Sequence, residues 1–107
     1  TYSLRVTVMK TKFTFISNVW MYDGPAKWFF AGLPKDMSAD IHERFKKAKR
    51  GWGSLPVEVT VGSSVWNTSI FPDSKTKTFV LPLKAKIRKK ESIRDGSTIQ
   101  IQIKLRL

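Results

Sequence analysis

The sequence predicts a mainly β fold, in which six strands close into a small barrel with two short helices. The C-terminal segment "STIQIQIKLRL" alternates apolar and polar residues with a period of two, which is typical of a strand with one buried face. The segment "VEVTV" alternates in the same way, and Gly62-Ser63 then joins it to "SVWNTSIF" as a hairpin. A third observation is an internal repeat of the order strand, helix, strand.

Aromatic and turn residues mark the other three strands. "KFTFISNVW" and "KWFFAGL" are rich in aromatic residues, and the turn "YDGPA" separates them. A second turn, "PDSKTK", leads into the short strand "TFVL". The octet "TYSLRVTV" at residues 1–8 is either an additional strand or a stretch of vector or upstream residues before Met9. We expect a single β-barrel domain over residues 1–107.

The first helix lies in "PKDMSADIHERFKKAKR". Its spacing places four apolar residues on one helical face, namely Met37, Ile41, Phe45 and Ala48. Asp36 or Ser38 is the predicted N-cap, and Gly51 is predicted to end the helix.

The second helix is predicted from about Leu83 to Glu91, with Leu83 and Ile87 inward and most of its Lys and Arg outward. Around both helices the chain follows one order: a strand, Leu-Pro, a basic helix, a glycine turn and an alternating strand. Proline is tolerated at the start of a helix, because the backbone N–H that it lacks would have no hydrogen-bond partner within the helix at that position. The repeat predicts a barrel with a pseudo-two-fold axis inside one chain.

The composition is that of a folded protein without disulfides. Of the 107 residues, 41% are hydrophobic and 12% are aromatic, which is enough apolar surface to build a core. The chain has no cysteine, so disulfides and thiolate metal sites are excluded. The apolar stretch Trp28–Leu33 is far too short to span a bilayer. We therefore expect a cytoplasmic protein without a cofactor or a membrane span.

The charge is the unusual feature of the composition. Twenty Lys and Arg against 8 Asp and Glu give a net charge of +12 and a pI near 10.3. Such a charge favours a polyanionic partner, which is nucleic acid, an acidic protein or an anionic membrane surface, or else it only keeps the protein in solution. The residues predicted to contact phosphate are Lys84, Arg88, Lys89, Lys49 and Arg50. Trp52, beside Arg50, would add stacking if exposed; the alternative is a solvated cationic face with this tryptophan in the core.

The remaining tryptophans, Trp20, Trp28 and Trp66, lie in or beside strands, where packing in the core is the expectation. Trp66 has an alternative role, because together with Lys84 or Arg88 it would form a pocket for a small anionic ligand. A protein-interaction module without catalysis is a further alternative, since an acidic partner would meet the same basic face.

The sequence contains no recognisable catalytic arrangement. Its single histidine, His42, is expected to be exposed on the first helix beside Glu43. Asp36 and Asp40 share one helical turn, and the helix dipole explains this pair. The chain has no glycine-rich phosphate loop, metal-ligand spacing or nucleophile elbow, so we expect neither enzyme activity nor a metal.

The blocks "GWGSLPVEV", "FPD" and "LPLK...IRK", with "KWFFAGLPKDMSADI", resemble a bacterial family, domain of unknown function 1905, over residues 12–105. The resemblance implies a double-split β-barrel, similar in fold to AbrB, MazE and MraZ, and no established activity. Dimeric proteins of the AbrB type present a basic surface to DNA; here both halves lie in one chain, so a monomer is expected, with a dimer as the alternative. Two turn residues depart from the family pattern: Ser97 replaces a usual Asp, and Lys77 replaces a usual glycine.

Overall fold

The computed structural model describes residues 11–106, apart from the side chain of Trp52. The predicted stacking by Trp52 and the predicted extra strand at residues 1–8 lie outside this description. The elements are β1 (Lys12–Tyr22), β2 (Trp28–Gly32), α1 (Lys35–Phe45), β3 (Leu55–Val61), β4 (Ser64–Asp73), β5 (Thr78–Pro82), α2 (Ala85–Glu91) and β6 (Thr98–Leu105), with 3₁₀ turns at Lys46–Ala48 and Gly51–Gly53. In this part of the chain, no helix is both long enough and apolar enough to cross a membrane.

The strands form a closed antiparallel barrel in the order β1-β2-β5-β4-β3-β6. This confirms the predicted mainly β barrel with two helices. Two of the strands divide their length between two neighbours. β1 pairs with β6 over residues 12–18 and with β2 over residues 19–22. β4 pairs with β3 over residues 64–70 and with β5 over residues 71–73.

Alternating side chains fill the interior of the barrel. In β3, every second residue from Leu55 to Val61 is buried, and the residues between them are half-buried. Ile101 and Ile103 of β6 are fully buried by the same period of two, as the sequence predicts. Burying an aliphatic side chain of this size contributes about 1.5–3 kcal/mol, so this interior is the main source of stability.

The two helices lie at opposite ends of the barrel. α1 follows β2 and α2 follows β5, and these strands are antiparallel neighbours, with Phe30 opposite Pro82. Each helix buries apolar side chains in the core: Ile41 and Phe45 from α1, and Ile87 from α2. The basic segments that accompany the two helices are therefore at different ends of the molecule.

The ends of α1 differ from the prediction. Pro34 is the N-cap residue, and no side chain caps the helix, so neither Asp36 nor Ser38 has the predicted role. Ser38 is buried, and its Oγ accepts a hydrogen bond from the backbone N–H of Phe79 at 3.0 Å, because this position faces β5. The α-helix ends well before Gly51, which instead begins a 3₁₀ turn. α2 begins two residues later than predicted.

Candidate anion-binding site

A cleft opens in the barrel wall where β4 separates from β5. The two strands pair only between residues 71–73 and 78–80, and in the described chain residues 64–70 of β4 pair with β3 alone. The cleft has a volume of about 470 Å³, which is within the usual range of ligand pockets. Its charged and aromatic lining residues are Lys27, Trp28, Phe29, Trp66, Lys84 and Arg88.

Three of the residues predicted from the sequence, Trp66, Lys84 and Arg88, come together in this cleft. Trp66 is only 9% exposed, which confirms its expected packing in the core, and its remaining surface lines the cleft. Lys84 is exposed at the N-terminus of α2. Trp66 is therefore both a core residue and one wall of a cationic cleft.

The guanidinium of Arg88 is held in a fixed orientation. Its Nε donates a hydrogen bond to the carbonyl oxygen of Leu83 at 3.0 Å, and its Cζ lies 3.7 Å from the centroid of the Phe29 ring. Phe29 packs in turn against the core. Because arginine has five N–H donors in a planar fork, these contacts leave its terminal amino groups to bind an anion bidentately.

The basic side chains at the α2 end of the barrel are not in the ion pairs of the described residues. Within residues 11–106, the ion pairs are Arg44–Asp40 at 2.8 Å and Lys46–Glu43 at 3.0 Å. Both lie in or directly after α1, at the opposite end. Lys84, Arg88 and Lys89 therefore have no carboxylate within 4.0 Å among the residues that the structure describes.

Lys89 lies next to the cleft rather than in it. A second cavity of about 460 Å³ is lined by Arg88, Lys89 and Arg94. Because Arg88 lines both cavities, Lys84, Arg88, Lys89 and Arg94 form one continuous surface, which we call the α2 basic surface.

Lys49 and Arg50, the other two predicted phosphate contacts, lie at the far end of the barrel, after α1. Lys49 is half-buried, with its Nζ in contact with Nδ1 of His42 and 5.7 Å from the centroid of the Phe79 ring. Burial lowers the pKa of Lys49 below its usual value, because desolvation disfavours the charged form. Arg50 is exposed. The structure thus divides the five predicted basic residues between two ends instead of one site.

The outside of the barrel carries exposed aromatic residues that the sequence analysis missed. The prediction that Trp20 and Trp28 pack in the core is wrong, since they are 36% and 53% exposed. The register of β1 and β2 places Trp20 opposite Phe30 and Tyr22 opposite Trp28. All four lie on the outer face, because side chains alternate along a strand and the neighbouring Val19 and Ala31 are buried in the core.

These rings line a groove of about 750 Å³, which we call the aromatic groove. Trp28 and Phe30 are stacked, with ring centroids 6.1 Å apart and an interplanar angle of 7°. The indole of Trp20 covers Gly32, where a Cβ would lie 3.5 Å from the ring. Trp28 and Pro82 line both the aromatic groove and the cationic cleft, so the two depressions adjoin.

Metal-ligand side chains do not converge in the described chain. Between residues 11 and 106, no group of three or more His, Cys, Asp and Glu side chains is placed to hold a metal ion. His42 is exposed, as expected, and contacts Lys49. That the protein is not an enzyme stays a prediction.

A protein-family comparison agrees with the resemblance carried by the sequence blocks. The model of the family described as Domain of unknown function (DUF1905) matches residues 15–103. The matched span includes both helices, the cationic cleft and the strands of the aromatic groove. No curated protein is significantly similar to the chain.

Proposed function

Because the chain belongs to the DUF1905 family, whose description states no function, we propose a function from the site itself: the protein binds nucleic acid through the α2 basic surface. Lys84, Arg88 and Lys89 are the proposed phosphate contacts. The proposal contains no catalytic step, and it keeps the cytoplasmic location that the sequence predicts.

The observation that carries the proposal is that these three cations lie together on one continuous surface, without a carboxylate partner in the described chain. Unpaired cations attract phosphates, and binding releases the counterions condensed on the nucleic acid. The net charge of +12 adds attraction at longer range. Because Ile87 anchors α2 in the core, and Arg88 is stacked on Phe29, the charges are presented from a fixed surface.

We further infer that the barrel is of the double-split type, with a pseudo-two-fold axis. If β1 is exchanged with β4, β2 with β5 and β3 with β6, every strand keeps the same pair of neighbours around the barrel. The exchanged strands β1 and β4 are also the two that divide their pairing between neighbours. Such an axis would relate the α2 basic surface to Lys49 and Arg50, and closure of the barrel within one chain supports a monomer.

The test compares two variants that each remove two positive charges from the total of +12. Lys84→Ala/Lys89→Ala changes the α2 basic surface. Lys12→Ala/Lys104→Ala changes two exposed lysines that face each other across β1 and β6, away from it. Arg88 is left in place because its removal would also break its contacts with Phe29 and Leu83.

Fluorescence anisotropy with a labelled DNA duplex, between about 50 and 200 mM salt, measures the outcome. In Lys84→Ala/Lys89→Ala, the slope of log affinity against log salt should flatten by about 1.8, since each lost phosphate contact removes about 0.9. The control variant should keep the slope of the unmodified protein. Equal slopes for the two variants would remove the α2 basic surface from consideration.

A small anionic ligand is the second candidate, favoured by Trp66 lying beside Lys84 and Arg88 in the cleft. A nucleoside monophosphate should then quench tryptophan fluorescence, and Lys84→Ala should weaken this binding. An acidic protein partner would instead contact the whole α2 basic surface. An acidic protein and a ligand bound to Lys84 and Arg88 would both compete with a duplex, so the quenching of tryptophan fluorescence distinguishes the small ligand.

A further inference from the structure

The aromatic groove exposes apolar rings that a monomeric protein would normally bury. Trp20, Tyr22, Trp28 and Phe71 all belong to the exposed large apolar residues of the described chain. They lie together on one outer face, lining the same groove rather than scattered singly. A contiguous apolar patch rimmed by polar residues marks an interaction site, whereas single exposed apolar residues need no explanation.

The groove is also a packed structure in its own right. Val80 of β5 is buried although it does not belong to the interior core. Its register partners, Gly32 and Phe71, place it on the outer face, beneath the rings. The stacked Trp28 and Phe30, the indole of Trp20 over Gly32, and Val80 therefore form an apolar layer on the outside of the barrel. Rings fixed in this way lose little conformational freedom when a planar group stacks on them.

The chemistry around the groove limits what it can bind. Lys75 lines it directly, and Lys84 and Arg88 lie in the adjoining cleft. The one carboxylate in its lining, Asp73, is occupied within its own turn, where it accepts hydrogen bonds from Thr76 Oγ1 at 2.9 Å and from the backbone N–H of Lys75 at 3.3 Å. A ligand that joins a planar group to a negative charge matches both, with the planar group in the aromatic groove and the charge in the cationic cleft.

We propose that the aromatic groove stacks the unpaired bases of a single-stranded nucleic acid, while the α2 basic surface holds its phosphates. This inference rests on the proposed function and names its substrate class. Stacking needs free base faces, which a single strand offers and a duplex hides. Trp28, which lines both depressions, would lie where the strand passes from one to the other. A second copy of the chain fits poorly, because two molecules of charge +12 repel each other.

The test uses a twelve-nucleotide oligothymidine and a duplex of the same length as probes at constant salt. Trp28→Ala removes a ring that is 53% exposed, and Ile16→Ala is its control, since Ile16 is 67% exposed on β1 but outside the groove. Trp28→Ala should weaken oligothymidine binding about 5- to 150-fold and weaken duplex binding far less, because a duplex hides the base faces that would stack. Trp28→Phe should restore much of the affinity, and Ile16→Ala should bind as the unmodified protein does.

The outcomes separate this inference from the proposed function. If neither probe binds, the proposed function fails as well. If both bind, and only Lys84→Ala/Lys89→Ala weakens them, the proposed function stands and base stacking is excluded. Loss of self-association in Trp28→Ala, seen by sedimentation, would assign the groove to a second copy and overturn the inference. Tyr22→Ala, in the same groove, gives an independent measurement should Trp28→Ala unfold.

Discussion

Gly62 turns the chain from β3 to β4 with a φ of +57°, and Glu91 occupies the space that a side chain would need there. The carboxylate of Glu91 is fixed at that point, because it accepts hydrogen bonds from Ser64 Oγ at 2.6 Å and from Ser63 Oγ at 3.3 Å. One hairpin turn is therefore tied to the end of α2, and α2 carries the basic surface. The single residue that permits this close approach is a glycine.

We predict that Gly62→Ala destabilises the fold by more than the backbone cost alone. A non-glycine residue in the left-handed region costs about 1–2 kcal/mol, and the added methyl must also displace Glu91. Gly96→Ala is a control for a positive φ without a steric clash, because Gly96 has a φ of +89° with nothing within 4 Å of its Cβ position. Urea unfolding measures both variants. The structural explanation is wrong if Gly62→Ala costs no more than about 1–2 kcal/mol, the cost of the backbone conformation alone.

Single residues also show where sequence reasoning about the site failed. The position of Trp20 and Trp28 in or beside strands predicts packing in the core, but the period of two that buries Phe13, Phe15 and Val19 places Trp20 on the outer face. That signal was available in the sequence. For Trp66, the alternation of β4 is enough to predict burial. Its place beside Arg88 could not be predicted from the sequence, because it depends on the packing of α2 against β4.

At the scale of elements, two turns contain the residues that depart from the pattern implied by the resemblance. Lys77, where the resemblance implies a glycine, has a φ of +57°. Ser97, where the resemblance implies an Asp, accepts at its Oγ a hydrogen bond from the backbone N–H of Arg94 at 2.8 Å. Lys77 therefore has a strained backbone conformation, and Ser97 makes a side-chain contact within its turn.

We predict that Lys77→Gly stabilises the protein by about 0.5–1 kcal/mol, because relief of the left-handed strain exceeds the added entropy of the unfolded chain. Lys75→Gly is the control in the same turn. Lys75 does not have a positive φ, so glycine there should only destabilise. Thermal unfolding of the two variants provides the comparison. A lower midpoint for Lys77→Gly would show that the strain at this position is negligible.

At the scale of the whole molecule, charge repulsion dominates the electrostatics. The chain carries +12, and the ion pairs of the described residues involve only four charged side chains. Like charges in a compact state repel each other, and salt screens exposed charges over about 8–10 Å at physiological ionic strength. Binding a polyanion would relieve the same repulsion.

We therefore predict that the melting temperature rises when NaCl is increased from about 50 to 200 mM in the absence of nucleic acid. The Lys12→Ala/Lys104→Ala variant should respond less, because it lowers the net charge of +12 by two. Differential scanning fluorimetry at several salt concentrations measures this. A melting temperature that falls with salt would mean that attractive pairs outweigh the repulsion.

Local periodicity and composition are enough to predict the six strands, the two helices, the buried faces of β3 and β6, and the basic character of α2. Contacts between distant parts of the chain set the remaining features. The position of Ser38 against β5 overrode its capping propensity, and the antiparallel pairing of β2 with β5 sent Lys49 and Arg50 to the opposite end from Arg88. Only the closed barrel order brings β1, β2, β4 and β5 together under one aromatic groove, since contacts between residues distant in the chain are fixed by topology rather than by local pattern.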